Sequence, residues 1–298
     1  MTTATFEVRG TMRTNEPMSK HTVWAVGGPA EFFFEPADED DLAMWLASDP
    51  SHGEQLFWLG LGSNLLVRDG GIKGTVIHTT GKLGVFEHLG GTDVRVGAGV
   101  PCAKVARELT KLGLGGCEFL AGIPGTIGGA LAMNAGAHGG ETWDFVTRIR
   151  CVDASGVLRW REPSDFEVSY RSVRKKEKEW FTACELRLEH SDEKSVREAV
   201  KALLAHRAAT QPTGMRSCGS VFRNPPGDYA GRLIEAASLK ETRRGGALVS
   251  AKHANFILND GGATADDLEE LIDLIQVTVK ERFGVSLQRE VQVVGDYE

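Results

Sequence analysis

Apolar positions along the chain recur at two periods, and each period marks a different kind of element. Residues 264–283 carry the clearest helical pattern, with Leu268, Leu271, Ile272, Ile275 and Val279 on one face and Gly284 where a left-handed stop belongs. Val105, Leu109 and Leu112 before Gly113 repeat that design, and Leu42, Trp45 and Leu46 follow Asp38, which predicts an N-cap. The run Ser195-Val196-Arg197-Glu198 reads as a capping box that opens a further helix through Leu203 and Leu204. Between these lie short runs suited to strands: Phe32-Phe33-Phe34 after the turn Gly27-Gly28-Pro29, then residues 56–61, 75–78, 93–99, 181–188, 254–258 and 289–295. Residues 146–160 predict a hairpin that turns at Asp153-Ala154-Ser155-Gly156. The segment around residues 218–224 predicts a strand ended by Pro225-Pro226-Gly227 and followed by a helix. The charged run 174–179 predicts a solvated hairpin connection.

Strands and helices interleave without an internal repeat, and an α+β class is expected. A chain of 298 residues exceeds what one core usually holds, so two or three lobes are expected. A composition shift marks a boundary near residue 193, and the expected lobes are residues 1–80, 81–192 and 193–298. The net charge of −7 disfavours nucleic acid and anionic membranes, so any anionic ligand needs a local site. Residues 1–17 form a polar arm without the apolar core of a signal peptide. No apolar run approaches the ~18 residues of a membrane span, and a cytoplasmic protein is expected. Five scattered cysteines without a CxxC pair, and histidines without HxxxH or HExxH spacing, argue against a disulfide framework and a metal site.

The chemistry concentrates in glycine. Residues 121–138, AGIPGTIGGALAMNAGAH, are almost uncharged and hold Gly122, Gly125, Gly128, Gly129 and Gly136, with Gly139 just beyond. Without Cβ atoms, a polyanion can approach main-chain N–H groups closely. Pro124 stiffens this loop and Thr126 adds a hydroxyl. A second cluster, Gly60, Gly62, Ser63, Asn64 and Leu65, follows the strand at 56–61. Two such clusters can clamp a long diphosphate, although each alone also suits a tightly packed turn. No GxGxxG enters a helix after a strand, so a Rossmann dinucleotide site is unsupported.

The set HTVWAVGGPAEFF, LGLGSNLLVRDGG, FLAGIPGTIGGALAMNAGAHGGE, SYRS, CGSVFRNP, AGRLIEAASLK, VSAKHANFILN and REVQVVG resembles, in order and over nearly the whole chain, the UDP-N-acetylenolpyruvoylglucosamine reductases of peptidoglycan precursor synthesis. The resemblance implies a vanillyl-alcohol-oxidase-like FAD-binding fold of two lobes, plus a C-terminal α+β domain that closes over substrate. It implies non-covalent FAD, NADPH as hydride-donating co-substrate, UDP-N-acetylglucosamine enolpyruvate as substrate, and a monomer. Hydride then reaches C3 of the enolpyruvyl group, and protonation at C2 gives UDP-N-acetylmuramate.

By the same resemblance Arg171 stabilises the enolate, Ser220 donates the proton to C2, and Glu290 is an acid held near the substrate carboxylate. Tyr170, Arg223 and Asn224 match substrate contacts. Gly60, Gly62, Ser63, Asn64, Leu65, Gly122, Ile123, Pro124, Gly125, Thr126, Gly128, Gly129, Asn134, Gly136 and His138 match the flavin site. Three positions depart from the family: His138 replaces a frequent tyrosine, Arg223 a frequent lysine, and Ser238 a common glycine, the last expected to matter structurally only. The interval from Arg171 to Ser220 is similar to the family's shorter form, which lacks an inserted loop bearing a substrate-clamping tyrosine. Two other readings fit the glycine loops. One is an FAD-dependent alcohol or sugar-lactone oxidase of the same superfamily, although LGLGSN lacks the histidine often used there for covalent flavin attachment. The other is a non-catalytic nucleotide-binding protein.

Overall fold

The structure, a computed structural model, describes residues 8–48 and 55–297. The first seven residues of the polar arm lie outside the described residues. The chain alternates between two compact units. The described parts of residues 1–14, 32–61 and 74–205 make the first, and residues 15–31, 62–73 and 206–297 belong to the second.

The first unit holds most of two larger sheets and the helices packed on them. Strands Thr11–Pro17, Pro29–Glu35, Ile72–His78 and Leu56–Leu59 lie side by side in that order, the last two parallel with Leu59 opposite His78. Helix α1 (Glu39–Ser48) covers this sheet with Leu42, Trp45 and Leu46, which pack with Phe34 and Ile77. Asp38 accepts the amide of Asp41 at 2.9 Å and so opens the helix as expected. A five-stranded antiparallel sheet runs Leu158–Arg161, Val146–Asp153, Glu179–Arg187, Asp93–Gly97 and Phe86–Gly90. Its apolar face, with Val94, Val96, Ile149, Cys184 and Leu186, receives helix α2 (Cys102–Leu112) and helix α3 (Ile127–Met133). On this sheet Arg95 and Glu185 stand directly opposite and pair, while Trp160 lies beneath three arginines, at 5.3 Å for Arg95, 4.9 Å for Arg148 and 5.8 Å for Arg150. Such one-sided burial is what an alternating antiparallel sheet permits.

The second unit is built on helix α6 (Ala265–Phe283), whose Leu268, Leu271, Ile272, Ile275 and Val279 enter one core with Trp24, Leu66, Phe222 and helix α5 (Ala230–Ala236). Thr264 and Asp267 form a reciprocal capping box, each side chain accepting the other's amide at 3.1 Å, and Gly284 ends the helix at φ +71°. Trp24 is fully buried and donates its indole N–H to Ile257 O at 2.9 Å. Strands Arg243–Arg244, Ala247–Val249 and Ile257–Asn259 form a small antiparallel sheet, and Gln292–Val294 pairs in parallel with Leu65–Val67. Among the described residues no helix is long and apolar enough to cross a membrane.

Three local expectations change. The helix at 193–210, α4 (Glu193–Thr210), is capped by Asp192, which accepts the amide and hydroxyl of Ser195 at 2.9 and 2.6 Å. Ser195 is therefore the third helical residue, because the aspartate three positions earlier takes the free amide. The segment 218–224 forms only isolated bridges, Ser220 to Phe256 and Phe222 to Arg289, and not a strand. The charged run is partly interior: strand Ser172–Lys175 reaches into it, and Glu179 is 3% exposed because Arg161 pairs with it at 3.1 Å. Ser238, where glycine is common, holds φ +60° directly after α5, which explains the glycine preference.

Candidate active site

In the first unit the two glycine clusters meet at one point. A Cβ added to Gly60 would stand 2.4 Å from the Thr126 hydroxyl, so only glycine lets the two loops close to this distance. Thr126 is 2% exposed and sits at the N-cap of α3, yet its hydroxyl makes no capping bond. The loop itself is held by its own amides: Gly125 donates to Ile123 O at 2.9 Å, Ile127 to Val100 O at 2.9 Å and Gly128 to Ala98 O at 2.8 Å. Those three N–H groups are spent inside the protein. What remains open is a Cβ-free wall. Nothing lies within 4 Å of a Cβ added at Gly122, and at Gly129 only the Thr126 hydroxyl comes near, at 3.9 Å. A wall of bare main chain beside a buried hydroxyl fits a diphosphate that must approach without lysines. Ile123 and Gly125 are half-buried and Pro124 is exposed on the same loop.

Beyond α3 the backbone is tightly scripted. Asn134 ends the helix at φ +41° and is 1% exposed. Its amide donates to Glu141 at 2.6 Å, and its side-chain oxygen accepts the Trp143 amide at 3.2 Å. That side chain therefore braces the loop that follows. Gly136–Ala137 and Gly140–Glu141 pair around His138 and Gly139, which have φ +56° and +91°, the geometry a two-residue hairpin turn prefers. His138 is exposed at this tip. A second hairpin, Phe166–Ser169 with Ser172–Lys175, turns on Tyr170 and Arg171. Arg171 adopts φ +53°, unusual for a side chain with a Cβ, and its guanidinium donates to Asn134 O at 3.3 Å and Gly136 O at 2.6 Å. The cation is thereby fixed against the glycine loop, with Tyr170 stacked 5.2 Å away and half exposed.

In the second unit the remaining candidates converge. Gly219, at φ +76°, turns the chain into Ser220. The buried Cys218 thiol donates to Leu65 O at 3.5 Å, and burial pushes that thiol up to about 12. Glu290 donates its amide to Val221 O at 2.7 Å and its carbonyl accepts the Asn64 side chain at 3.0 Å. Ser220 and Glu290, 70 residues apart in sequence, thus sit on adjoining segments. Arg223 donates its amide to Gln288 O at 2.9 Å, and its half-buried side chain keeps a buried Nε without a hydrogen-bond partner. Asn224 accepts the Ala230 amide at 3.1 Å and so starts α5. Leu65 is buried and paired with Gln292, Gly62 is buried against His21 O, and Ser63 is half-buried.

Sequence reading grouped Gly60, Gly62, Ser63, Asn64 and Leu65 as one flavin-side cluster. Gly60 belongs to the first unit, whereas residues 62–65 are woven into the second. The supporting groups Asn134–Glu141–Trp143 and Asn64–Glu290 were not foreseen as pairs. Asn64 and Glu290 lay in quoted motifs, but nothing in the spacing joins them.

Comparison with known proteins agrees with this geometry. Residues 30–161 match the FAD binding domain family, and residues 211–294 match the UDP-N-acetylenolpyruvoylglucosamine reductase C-terminal domain. A UDP-N-acetylenolpyruvoylglucosamine reductase of Methylococcus capsulatus is 57% identical over 97% of this chain and 94% of its own. Another from Alkalilimnicola ehrlichii is 55% identical over 96% of each. The crystal structure of UDP-N-acetylenolpyruvylglucosamine reductase from Thermus caldophilus superposes with a TM-score of 0.82 at 31% identity, covering 96% of this chain and 99% of that one. The α+β class and the FAD-binding fold expected from the sequence are those observed, and the chain belongs to the UDP-N-acetylenolpyruvoylglucosamine reductase family.

Proposed function

We propose that this protein is an NADPH-dependent flavoenzyme that reduces the enolpyruvyl ether of UDP-N-acetylglucosamine to UDP-N-acetylmuramate, in the cytoplasm and as a monomer. In this reading residues 1–80 and 81–192 cradle FAD and residues 193–298 take the sugar nucleotide. The observation that supports it best is the 2.7 Å bond from the Glu290 amide to Val221 O, which sets an acid beside the Ser220 segment within one folded unit. When bound, FAD supplies the hydride relay from NADPH to C3 of the enolpyruvyl group.

The residues then divide the remaining work. Gly60, Gly122 and Gly129 present main chain to the diphosphate, with the Thr126 hydroxyl between them. Arg171, anchored on Asn134 O and Gly136 O, offers a planar cation to the carboxylate as charge builds there during hydride addition. Glu290 opposes the same developing charge, which requires it to carry or share a proton when substrate is bound. Ser220 gives its hydroxyl proton to C2. A hydroxyl is a weak acid, so this step depends on stabilisation of the enolate first. Arg223 and the exposed Tyr170 suit the diphosphate and sugar, and Asn224 orders the turn into α5.

The test separates the two half-reactions under anaerobic conditions. NADPH should bleach the flavin absorbance, and UDP-N-acetylglucosamine enolpyruvate should restore it. In Ser220→Ala bleaching should keep its rate while restoration slows by at least about 100-fold, in line with loss of a general acid. Restoration at the parent rate would remove Ser220 from this role.

A further inference from the structure

Beside the segment that carries Glu290 lies an ion network, centred on the buried Glu269, that the reaction as described does not use. Glu269, on α6, is 6% exposed and takes two arginines on one carboxylate. Arg68 bonds it twice, at 2.8 and 2.9 Å, and Arg289 once, at 3.2 Å. Arg289 also donates to Gln276 at 3.1 Å and to Asp273. Glu269, Asp273 and Gln276 recur at four- and three-residue spacing, so one helical face receives the whole guanidinium.

The two arginines bracket one short segment. Arg289 immediately precedes Glu290, and Arg68 donates to Gly295 O at 3.0 Å just beyond Val294. Only three residues, Gln292–Val294, pair with Leu65–Val67 between these points. A slip of this short pair by one residue would replace Glu290 with Arg289 or Val291, so bonds at both ends of the segment matter to the site. Neighbouring side chains in extended backbone leave on opposite sides. Holding Arg289 on α6 therefore sends the Glu290 side chain the other way, while the main chain at Glu290 is pinned separately, its amide on Val221 O and its carbonyl on the Asn64 side chain. Stability alone does not explain a buried charge cluster, because well-packed apolar residues usually serve as well.

We infer that Glu269 is a positioning residue for the proposed acid: through Arg68 and Arg289 it fixes the register of the segment 289–295 and thereby the side on which Glu290 stands. The inference rests on the function proposed above. If parent enzyme reduced by NADPH is not reoxidised by UDP-N-acetylglucosamine enolpyruvate, that reading fails before any variant is made.

Glu269→Gln, loaded with FAD, should bleach with NADPH within twofold of the parent rate and reoxidise 10- to 100-fold more slowly. In a Glu290→Gln background the same change should add less than twofold, because a residue acting through Glu290 has nothing left to position. A network serving only stability would lower the melting temperature and leave the ratio of the two half-reactions unaltered in both backgrounds, which overturns the inference. Equal loss of both half-reactions overturns it as well. Should Glu269→Gln fail to fold, Asp273→Asn, at the exposed end of the same guanidinium, should give a smaller shift of the same ratio, and an unshifted ratio there counts against the inference.

Discussion

Two glycine-rich stretches of this protein, residues 121–129 and residues 62–71, look alike in sequence and differ in what their glycines do. In the first, Gly122 and Gly129 face open space. In the second, added Cβ atoms would stand 2.0 Å from His21 O at Gly62, 2.5 Å from Asp296 O at Gly70 and 2.1 Å from Pro29 O at Gly71. One stretch leaves these two glycines without a packed neighbour, as the proposed ligand wall requires. The other uses glycine to let chain segments pack main chain against main chain. Glycine density therefore locates close approach without saying whether a ligand or the protein itself is approaching.

That contrast can be broken by substitution. The largest effect should come from Gly71→Ala, because its methyl would overlap Pro29 O and its φ of +83° disfavours any L side chain. A loss above about 3 kcal/mol is expected, measured by urea unfolding, since overlap and backbone strain add. A loss under about 1 kcal/mol would mean that the packing account of this stretch is wrong. Gly129→Ala should do the reverse: with open space around it inside α3, it should hold or raise the stability of the flavin-free protein by up to about 1 kcal/mol. The same change should weaken FAD at least about tenfold, which is roughly 1.4 kcal/mol, read by fluorescence titration. Unaltered FAD affinity would turn the first stretch into another packing device.

A smaller effect should follow acidification. The Arg68 and Arg289 hydrogen bonds hold the Glu269 carboxyl below its ordinary value of 4.5, against the opposing effect of burial. The folded state therefore binds this proton less readily than the unfolded chain. Its contribution to stability is complete above about pH 4.5 and is lost as pH falls through the depressed value. Unfolding of Glu269→Gln by urea at pH 7 and below pH 4 should show a shallower acid dependence than the parent, and equal slopes would assign the acid sensitivity to other carboxylates.

Much of the scaffold was legible. The buried stripe of α6 and its Gly284 stop, the Gly113 stop of α2, and the hairpin turning after Asp153 all come from local periodicity and turn chemistry, which act within a few residues. Errors arose where a distant partner overrode local preference. Glu179 is drawn inside by Arg161, and residues 218–224 find single bridges from Phe256 and Arg289 in place of a regular ladder. The proposed catalytic residues were legible only through motif resemblance, since an arginine, a serine and a glutamate have no spacing rule. The bond between Asn64 and Glu290 spans 226 positions and leaves no trace in either neighbourhood.

That long span has a consequence for synthesis. Leu65–Val67 leaves the ribosome well before its strand partner Gln292–Val294, and at about 5–20 residues per second the interval is roughly 10–45 s. Trp24 likewise waits for Ile257. During that time an unpaired apolar edge and a bare indole must be shielded while the first unit, whose residues are nearly all in hand by Ala205, can already close. The second unit is thus assembled last from segments made first, so its yield in the cell depends on how well early chain is protected from aggregation as late chain arrives.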